Sequence, residues 1–160
     1  MEAKFAQIDR KFTVCYAFEK SQIGDTFIHN VIDDQPLTHI IEQQWDYMVM
    51  GEIIEHVDNP VLFLQKLKEK YTPYVKQLVI TAPNAFEWAN VSHILKNMEV
   101  INSDHRFIFT PYTLAKVATR AGFSPTSYAY CNTYLTNRRL GFLLKRIPMM
   151  RESVVMTMDF

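Results

Sequence analysis

Glycine is scarce in this sequence of 160 residues, which contains only Gly24, Gly51, Gly122 and Gly141. No two of them have the spacing of the Gly-x-Gly loops in which glycine lets the backbone approach a nucleotide cofactor closely. A glycine-rich phosphate-binding or cofactor-binding loop is therefore excluded within these 160 residues.

Cysteine and long apolar runs are scarce as well. The two cysteines, Cys15 and Cys131, form no Cys-x-x-Cys pair and are too few for a disulfide framework, so reduced thiols are expected. The first residues lack the apolar run of a signal peptide, and no stretch is long enough to cross a bilayer. We therefore predict a cytoplasmic protein with no transmembrane segment.

Neither sign of charge predominates, since 17 basic side chains balance 17 acidic ones. A net charge of zero gives no long-range field that would attract nucleic acid or an acidic partner. Aromatic residues make up 13% of the chain, which argues against intrinsic disorder. A chain of this length fits one compact domain with a core of its own.

Strands and helices alternate in the predicted secondary structure. Runs of β-branched and aromatic residues predict strands at 12–18, 31–32, 45–50, 78–82 and 127–135. Asn59-Pro60 and Thr110-Pro111 are each typical of a helix start, and another helix is expected around 91–98. This alternation predicts an α/β fold with a mostly parallel sheet, in which ligands bind outside the carboxyl ends of the strands.

Several segments resemble class I S-adenosylmethionine-dependent methyltransferases, in the same order and at compatible spacing. Residues 46–60 (DYMVMGEIIEHVDNP) resemble that family's fourth strand and the loop after it, and residues 80–85 (ITAPNA) resemble the fifth strand and its exit. Residues 104–111 (DHRFIFTP) and 121–123 (AGF) match the late helix and its boundaries. The resemblance implies a Rossmann-like sheet with helices on both faces, in a methyltransferase-like domain over 1–136.

The resemblance also implies where S-adenosylmethionine binds. Glu19 follows the predicted strand 12–18 and matches the acid that accepts hydrogen bonds from the cofactor ribose, while Asp34 lies where the family often has an acid near the adenine. Met50 and Gly51, at the end of strand 45–50, complete the implied cofactor-binding set. For Glu19 the alternative is a solvent-exposed acid at a strand end.

One part of the family's pattern is missing. The family's first strand and glycine-rich loop precede its second strand, but here only eleven residues precede strand 12–18, and none is glycine. We therefore expect an N-terminally truncated sheet. Three arrangements are open: strand 12–18 takes the central place, a second copy supplies the missing edge in a homodimer, or the strand edges stay exposed and promote aggregation.

Two glutamates and a histidine follow strand 45–50. Glu52, Glu55 and His56 form an E-x-x-E-H motif whose members share one face if the segment turns helically, and His105 is a candidate fourth ligand. The set resembles the site of the small-RNA 2′-O-methyltransferases, in which two Glu and two His hold Mg²⁺ or Mn²⁺ against ribose hydroxyls. Such a metal lowers the pKa of the attacking oxygen. Without metal, His56 is a candidate catalytic base, or the Glu-His pair is structural.

Two further segments have both a functional and a structural interpretation. Asn84 follows strand 78–82 and is a candidate catalytic residue that faces the reaction centre, although Pro83-Asn84 is also a common turn sequence. Residues 137–160 are interpreted as a basic amphipathic C-terminal extension. Such a segment binds an anionic membrane surface or RNA, or it packs its apolar side on the domain or on a second copy.

The sequence as a whole predicts an enzyme that transfers a methyl group from S-adenosylmethionine to an oxygen nucleophile, with Mg²⁺ or Mn²⁺ if the Glu-His cluster binds metal. The acceptor is a hydroxyl group of a small molecule or of RNA ribose. The alternative is a non-catalytic methyltransferase-like module for binding or dimerisation. Loss of the glycine-rich loop favours the module, whereas retention of all four Glu and His residues favours the enzyme.

Overall fold

The computed structural model describes residues 41–131 and 146–160 of the chain. The predicted strand 12–18 and the candidate cofactor residues Glu19 and Asp34 lie outside these ranges. The elements described in full, in chain order, are β1 (Trp45–Gly51), α1 (Pro60–Tyr71), β2 (Val75–Pro83), α2 (Trp88–Ile94), α3 (Pro111–Arg120), β3 (Ser124–Cys131), a short 3-10 helix (Pro148–Met150) and β4 (Ser153–Asp159).

The four strands form one open sheet in the order β1-β2-β4-β3. β1 and β2 are parallel and joined through α1, so that Gly51 lies beside Thr81 near the carboxyl ends of both strands. β4 is antiparallel to both of its neighbours, with Val155 paired to Thr81 on one side and to Ala129 on the other. The described sheet is therefore mixed rather than mostly parallel, within the Rossmann-like α/β class that the sequence predicts.

Strand β4 was not predicted, because residues 137–160 were interpreted as an extension outside the domain. Residues 153–159 instead lie between β2 and β3, and Val154, Met156 and Met158 are buried in the core. The described residues 41–131 and 146–160 belong to one compact unit. The strand was missed because the arginines and lysines of 137–151 dominate the composition of the tail, and the short apolar run follows them.

The helices begin where their capping residues predict. The Asn59 side chain accepts a hydrogen bond from the Leu62 amide at 3.0 Å, and Pro60 occupies the first turn of α1. Thr110 and Thr113 form a reciprocal capping box at the start of α3. Both helices bury one apolar stripe and pack against each other; the buried residues are Leu64, Leu67, Tyr71, Leu114 and Ala118.

Among the described residues, no helix combines the length and hydropathy needed to cross a membrane.

Gly122 ends α3 in a left-handed conformation with φ +92°. A Cβ atom there would lie 3.5 Å from the Lys68 side chain, so the backbone angle is the stronger constraint. We expect Gly122→Ala to lower the free energy of unfolding by about 1–2 kcal/mol, measured by urea denaturation. Gly51→Ala is the matched control, because its φ is not in this region and its Cβ would make only a 3.4 Å contact with Thr81 Oγ1. Equal losses in the two variants would contradict the prediction.

Candidate functional site

The loop that follows β1 carries the E-x-x-E-H motif to the carboxyl edge of the sheet. The backbone amide of Glu52 donates to both the carbonyl oxygen and Oγ1 of Thr81 on β2, each at 3.2 Å. Glu52 has φ 51°, a left-handed conformation that is uncommon for a residue with a side chain. The chain therefore turns sharply as it leaves the strand.

A single tight turn then brings Glu55 and His56 together. The amide of His56 donates to the carbonyl of Ile53 at 3.0 Å, so the motif forms one turn rather than a continuing helix. Glu55 is completely buried and His56 is half-buried. The predicted helical face is therefore reduced to this one turn, with the Glu55 carboxylate directed into the protein.

His105 is brought to the turn by the loop before α3. The amides of Arg106 and Phe107 both donate to the carbonyl of Glu55, at 2.8 and 3.2 Å. The rings of His56 and His105 meet edge to face, with their centroids 4.8 Å apart and their planes at 83°. Two histidines that are far apart in the sequence are thus in contact, and their role as metal ligands stays a prediction.

Three of the four candidate metal ligands form a compact donor set. Glu55, His56 and His105 each offer one oxygen or nitrogen atom, and these atoms all lie within 4.8 Å of one another. Glu52 is exposed and lies outside this group. Its negative charge still acts on the site, since it adds to the raised pKa of Glu55 and partly offsets the lowering of the pKa of His105. We refer to Glu55, His56 and His105 as the Glu-His cluster.

The buried carboxyl of Glu55 has an unusual electrostatic environment. Burial, together with the charge of Glu52, raises the pKa of Glu55 from 4.5 to about 7. Neither of its carboxyl oxygens has a hydrogen-bond partner among the described residues. Burial and the neighbouring His56 lower the pKa of His105, which favours a neutral imidazole. Neutral imidazole is the form that binds a metal ion.

The ring of His56 is oriented by the backbone. Its Nδ1 lies 3.0 Å from the carbonyl oxygen of Asp104, and because a carbonyl only accepts, Nδ1 carries the proton. In the neutral ring Nε2 then has a free lone pair, and it lies 3.6 Å from the Glu55 carboxylate. Either a proton on Glu55, whose pKa is about 7, or a cation can lie between these two acceptors. The donor set can therefore hold a divalent cation when the Glu55 carboxyl is ionised.

Asn84 directly follows β2, and its side chain forms hydrogen bonds with backbone groups. Its Nδ2 donates to the carbonyls of Met149 and Arg151, at 2.7 and 2.6 Å, and its Oδ1 accepts from the Phe86 amide at 3.1 Å. The side chain is fully buried. Its predicted catalytic contact stays untested, and these hydrogen bonds favour a role in fixing the turn after β2.

The two described candidate cofactor residues, Met50 and Gly51, end β1 beside the loop of the Glu-His cluster. Met50 is buried in the core, whereas Gly51 is exposed at the carboxyl edge of the sheet. Only Gly51 therefore presents its backbone to a ligand at this edge. The cofactor-binding role of both residues stays a prediction.

Arg106 and Asp104 belong to the site, although sequence reasoning singled out only the histidine between them. Arg106 Nη1 donates to the carbonyl of His56 at 2.6 Å, and its Nε pairs with the Asp58 carboxylate. The available signal was their adjacency to His105 in the segment Asp104-His105-Arg106. Residue types alone do not show that the backbone carbonyl of Asp104, rather than its carboxylate, meets His56.

Solved methyltransferases share this fold. The small RNA methyltransferase HEN1 is 16% identical, with a TM-score of 0.54 over 83% of this chain and 16% of that chain. The magnesium protoporphyrin IX methyltransferase ChlM from Synechocystis, solved with SAH, is 10% identical, with a TM-score of 0.52 over 84% of this chain and 50% of that one. A cyclopropane-fatty-acyl-phospholipid synthase-like protein from Lactobacillus casei is 16% identical, with a TM-score of 0.51 over 84% and 62%.

These likenesses establish the fold of class I S-adenosylmethionine-dependent methyltransferases and confirm the family resemblance at that level. The chain spans between 16% and 62% of the length of those three structures. No protein-family model and no curated protein sequence matches it.

Proposed function

We propose that this chain is part of an S-adenosylmethionine-dependent methyltransferase that methylates a hydroxyl group with the help of a divalent cation. The single observation that carries the proposal is the buried Glu55 carboxyl, which has no hydrogen-bond partner among the described residues and lies within 4.8 Å of donor atoms of His56 and His105. Polar groups buried without a partner are rare in folded proteins, and a bound ion is one of the few reasons for keeping one.

The ligand types favour a particular group of cations. One carboxylate and two imidazoles suit Mn²⁺, Zn²⁺ or Fe²⁺ better than Ca²⁺, which takes oxygen ligands. Glu52, which already acts electrostatically on the cluster, is available as a further oxygen ligand if its exposed side chain turns inward. When bound, such a cation polarises a hydroxyl oxygen and lowers its pKa.

In this proposal, different residues of the site position the acceptor and the cofactor. The Glu-His cluster lies at the carboxyl edge of the sheet, next to the end of β1 where the resemblance implies the cofactor. His56 and His105 hold the acceptor side of the site, and Gly51 offers exposed backbone on the cofactor side. Methyl transfer needs mainly an in-line arrangement of acceptor oxygen and methyl group, so that positioning supplies much of the rate enhancement.

A ribose diol is the acceptor that this site favours over an isolated hydroxyl. Two adjacent hydroxyls chelate one cation, and Glu52, Glu55, His56 and His105 resemble the ligand set of the small-RNA methyltransferases. Three of these four residues, all but Glu52, lie together in the structure. The fold similarity to HEN1, a small RNA methyltransferase, supports the same acceptor class. A hydroxyl of a small molecule is the alternative acceptor.

Calorimetric titration of the intact chain with Mn²⁺, and then with S-adenosylhomocysteine, tests the proposal. We expect Mn²⁺ to bind, His105→Ala to weaken that binding about 10–100-fold or more, and S-adenosylhomocysteine to bind the metal-loaded chain. Glu69→Gln is the matched control, because Glu69 is an exposed acid on α1 away from the motif. A folded chain that binds neither ligand would instead be the non-catalytic module.

A further inference from the structure

The two halves of the Glu-His cluster come from distant parts of the chain and must be held in register. His56 and Asp104, whose side chain and carbonyl meet at the site, are 48 residues apart in the sequence. A ligand set assembled in this way has the correct spacing only if the two loops are tied together. An error of about 1 Å in such a site is enough to impair function.

Arg106 makes that connection at several points. Its backbone amide donates to the carbonyl of Glu55 at 2.8 Å, and its side-chain Nη1 donates to the carbonyl of His56 at 2.6 Å. Its Nε forms an ion pair with Asp58, two residues after His56. Arg106 therefore contacts the turn at Glu55, at His56 and at Asp58. Its neighbour His105 is the third member of the Glu-His cluster.

The exposure of these groups argues against a mainly stabilising role. The side chains of Arg106 and Asp58 are 52% and 88% exposed, and ion pairs in such positions contribute little to the free energy of folding. The effect of Arg106 on the relative orientation of the two loops is larger than its effect on stability, because a guanidinium is planar and presents its donors in a rigid fork. Binding one carbonyl and one carboxylate at once fixes the relative position of the two loops.

We propose that Arg106 is a positioning residue that sets the spacing between His105 and the Glu55–His56 turn, and with it the affinity and geometry of cation binding. This inference rests on the proposed function. Arg106 touches neither cation nor substrate; it acts through the carbonyl of His56 and the carboxylate of Asp58. The neighbouring carbonyl of Asp104 keeps the proton on Nδ1 of His56 and leaves Nε2 free as a ligand.

Mn²⁺ titration and the visible absorption spectrum of the Co²⁺-loaded chain test the proposal in Arg106→Ala and Arg106→Lys. Loss of groups that orient metal ligands typically costs 10–100-fold in metal affinity, and we expect Arg106→Ala to lose that much and to change the Co²⁺ bands. Arg106→Lys keeps the positive charge but loses the planar set of donors, so its Mn²⁺ affinity should lie between those of Arg106→Ala and the wild type. Arg120→Ala, which removes an exposed arginine at the end of α3, is the matched control and should match the wild type.

Wild-type Mn²⁺ affinity and an unchanged Co²⁺ spectrum in a folded Arg106→Ala variant would overturn the proposal. If that variant does not fold, Asp58→Ala and Arg106→Lys decide. Asp58 is strongly exposed, so its removal should leave the fold intact while weakening Mn²⁺ binding several-fold. Wild-type affinity in both of these variants would also overturn the role of Arg106.

A second readout separates this inference from the proposed function. If the wild type binds no Mn²⁺, the proposed function fails, but the connection made by Arg106 is still measurable in the metal-free chain by ¹⁵N NMR of the His56 ring. The wild type should show Nδ1 protonated, and Arg106→Ala should lose that preference and expose the Phe107 amide to faster hydrogen exchange. An unchanged tautomer with unchanged exchange would contradict the positioning role.

Discussion

Glu55→Gln is expected to stabilise the metal-free chain above pH 7 while abolishing its affinity for Mn²⁺. The carboxyl of Glu55 is fully buried without a hydrogen-bond partner among the described residues, and its pKa rises to about 7 from 4.5. A shift of this size corresponds to about 3 kcal/mol at high pH. The observed gain should be smaller, because the amide of glutamine is also buried without a partner.

The sign of the pH dependence follows from where the protons are bound. Between pH 4.5 and 7 the native Glu55 holds its proton while the unfolded chain has released it, so the native state binds more protons. The contribution of Glu55 to stability therefore falls as pH rises through this window and levels off above about pH 7, whereas the lowered pKa of His105 acts in the opposite direction in both proteins. Glu55→Gln should remove this fall, so the two proteins should differ little at pH 4 and most at pH 8.

Denaturation with urea at pH 4 and pH 8, with and without Mn²⁺, measures both effects. Mn²⁺ at one hundred times its dissociation constant should raise the stability of the wild type at pH 8 by about 2.7 kcal/mol and leave Glu55→Gln unchanged. Glu99→Gln, an exposed acid in the loop after α2, serves as the control and should follow the wild type. A stability difference between the wild type and Glu55→Gln that does not change between pH 4.5 and 7 would contradict the burial argument.

Asn84→Ala is expected to destabilise the chain by about 2–4 kcal/mol, the second large effect. The substitution removes three part-buried hydrogen bonds, two to the carbonyls of Met149 and Arg151 and one from the amide of Phe86, and each contributes about 0.5–1.5 kcal/mol. Asn84→Asp should also be severe, because a carboxylate cannot donate to the two carbonyls. Thermal and urea unfolding measure the loss.

Asn90→Ala is the control for this prediction, since Asn90 Nδ2 makes one longer hydrogen bond, of 3.3 Å, to the Asn84 carbonyl. Its effect should be no more than about 1 kcal/mol. The two roles of Asn84 give opposite patterns. A variant that keeps wild-type stability but loses methyl transfer would restore the catalytic interpretation, whereas loss of stability supports the structural one.

Local sequence was sufficient for the elements whose signals are local. Asn59-Pro60 and Thr110-Pro111 begin α1 and α3, because a capping side chain and a proline act within the first turn of a helix. The strand 45–50 appears as β1, Trp45–Gly51, since its apolar run suits a paired strand. The E-x-x-E-H spacing indicated Glu52, Glu55 and His56 as one set, with His105 as a candidate fourth ligand. The structure brings three of these four residues together, and metal binding stays a prediction.

The late strands show where local patterns were insufficient. The predicted strand 127–135 begins earlier, at Ser124, and the described part of the chain follows it to Cys131. β4 lies between β2 and β3 although it is the last element in sequence, and its pairing with β2 joins residues at least seventy positions apart. No composition within 153–159 specifies such partners, because strand pairing is decided by the neighbours that the chain brings alongside.

The sequence by itself determined the α/β class, the helix starts and the identity of the cation-ligand candidates, because these depend on residue types and short spacings. Only the tertiary structure decided that Glu55 is buried, that Asn84 is used by the backbone and that Arg106 joins the two loops. Burial, pKa and hydrogen-bond partners depend on which segments fold against one another. They are therefore properties of the assembled site and cannot be read from any of its segments alone.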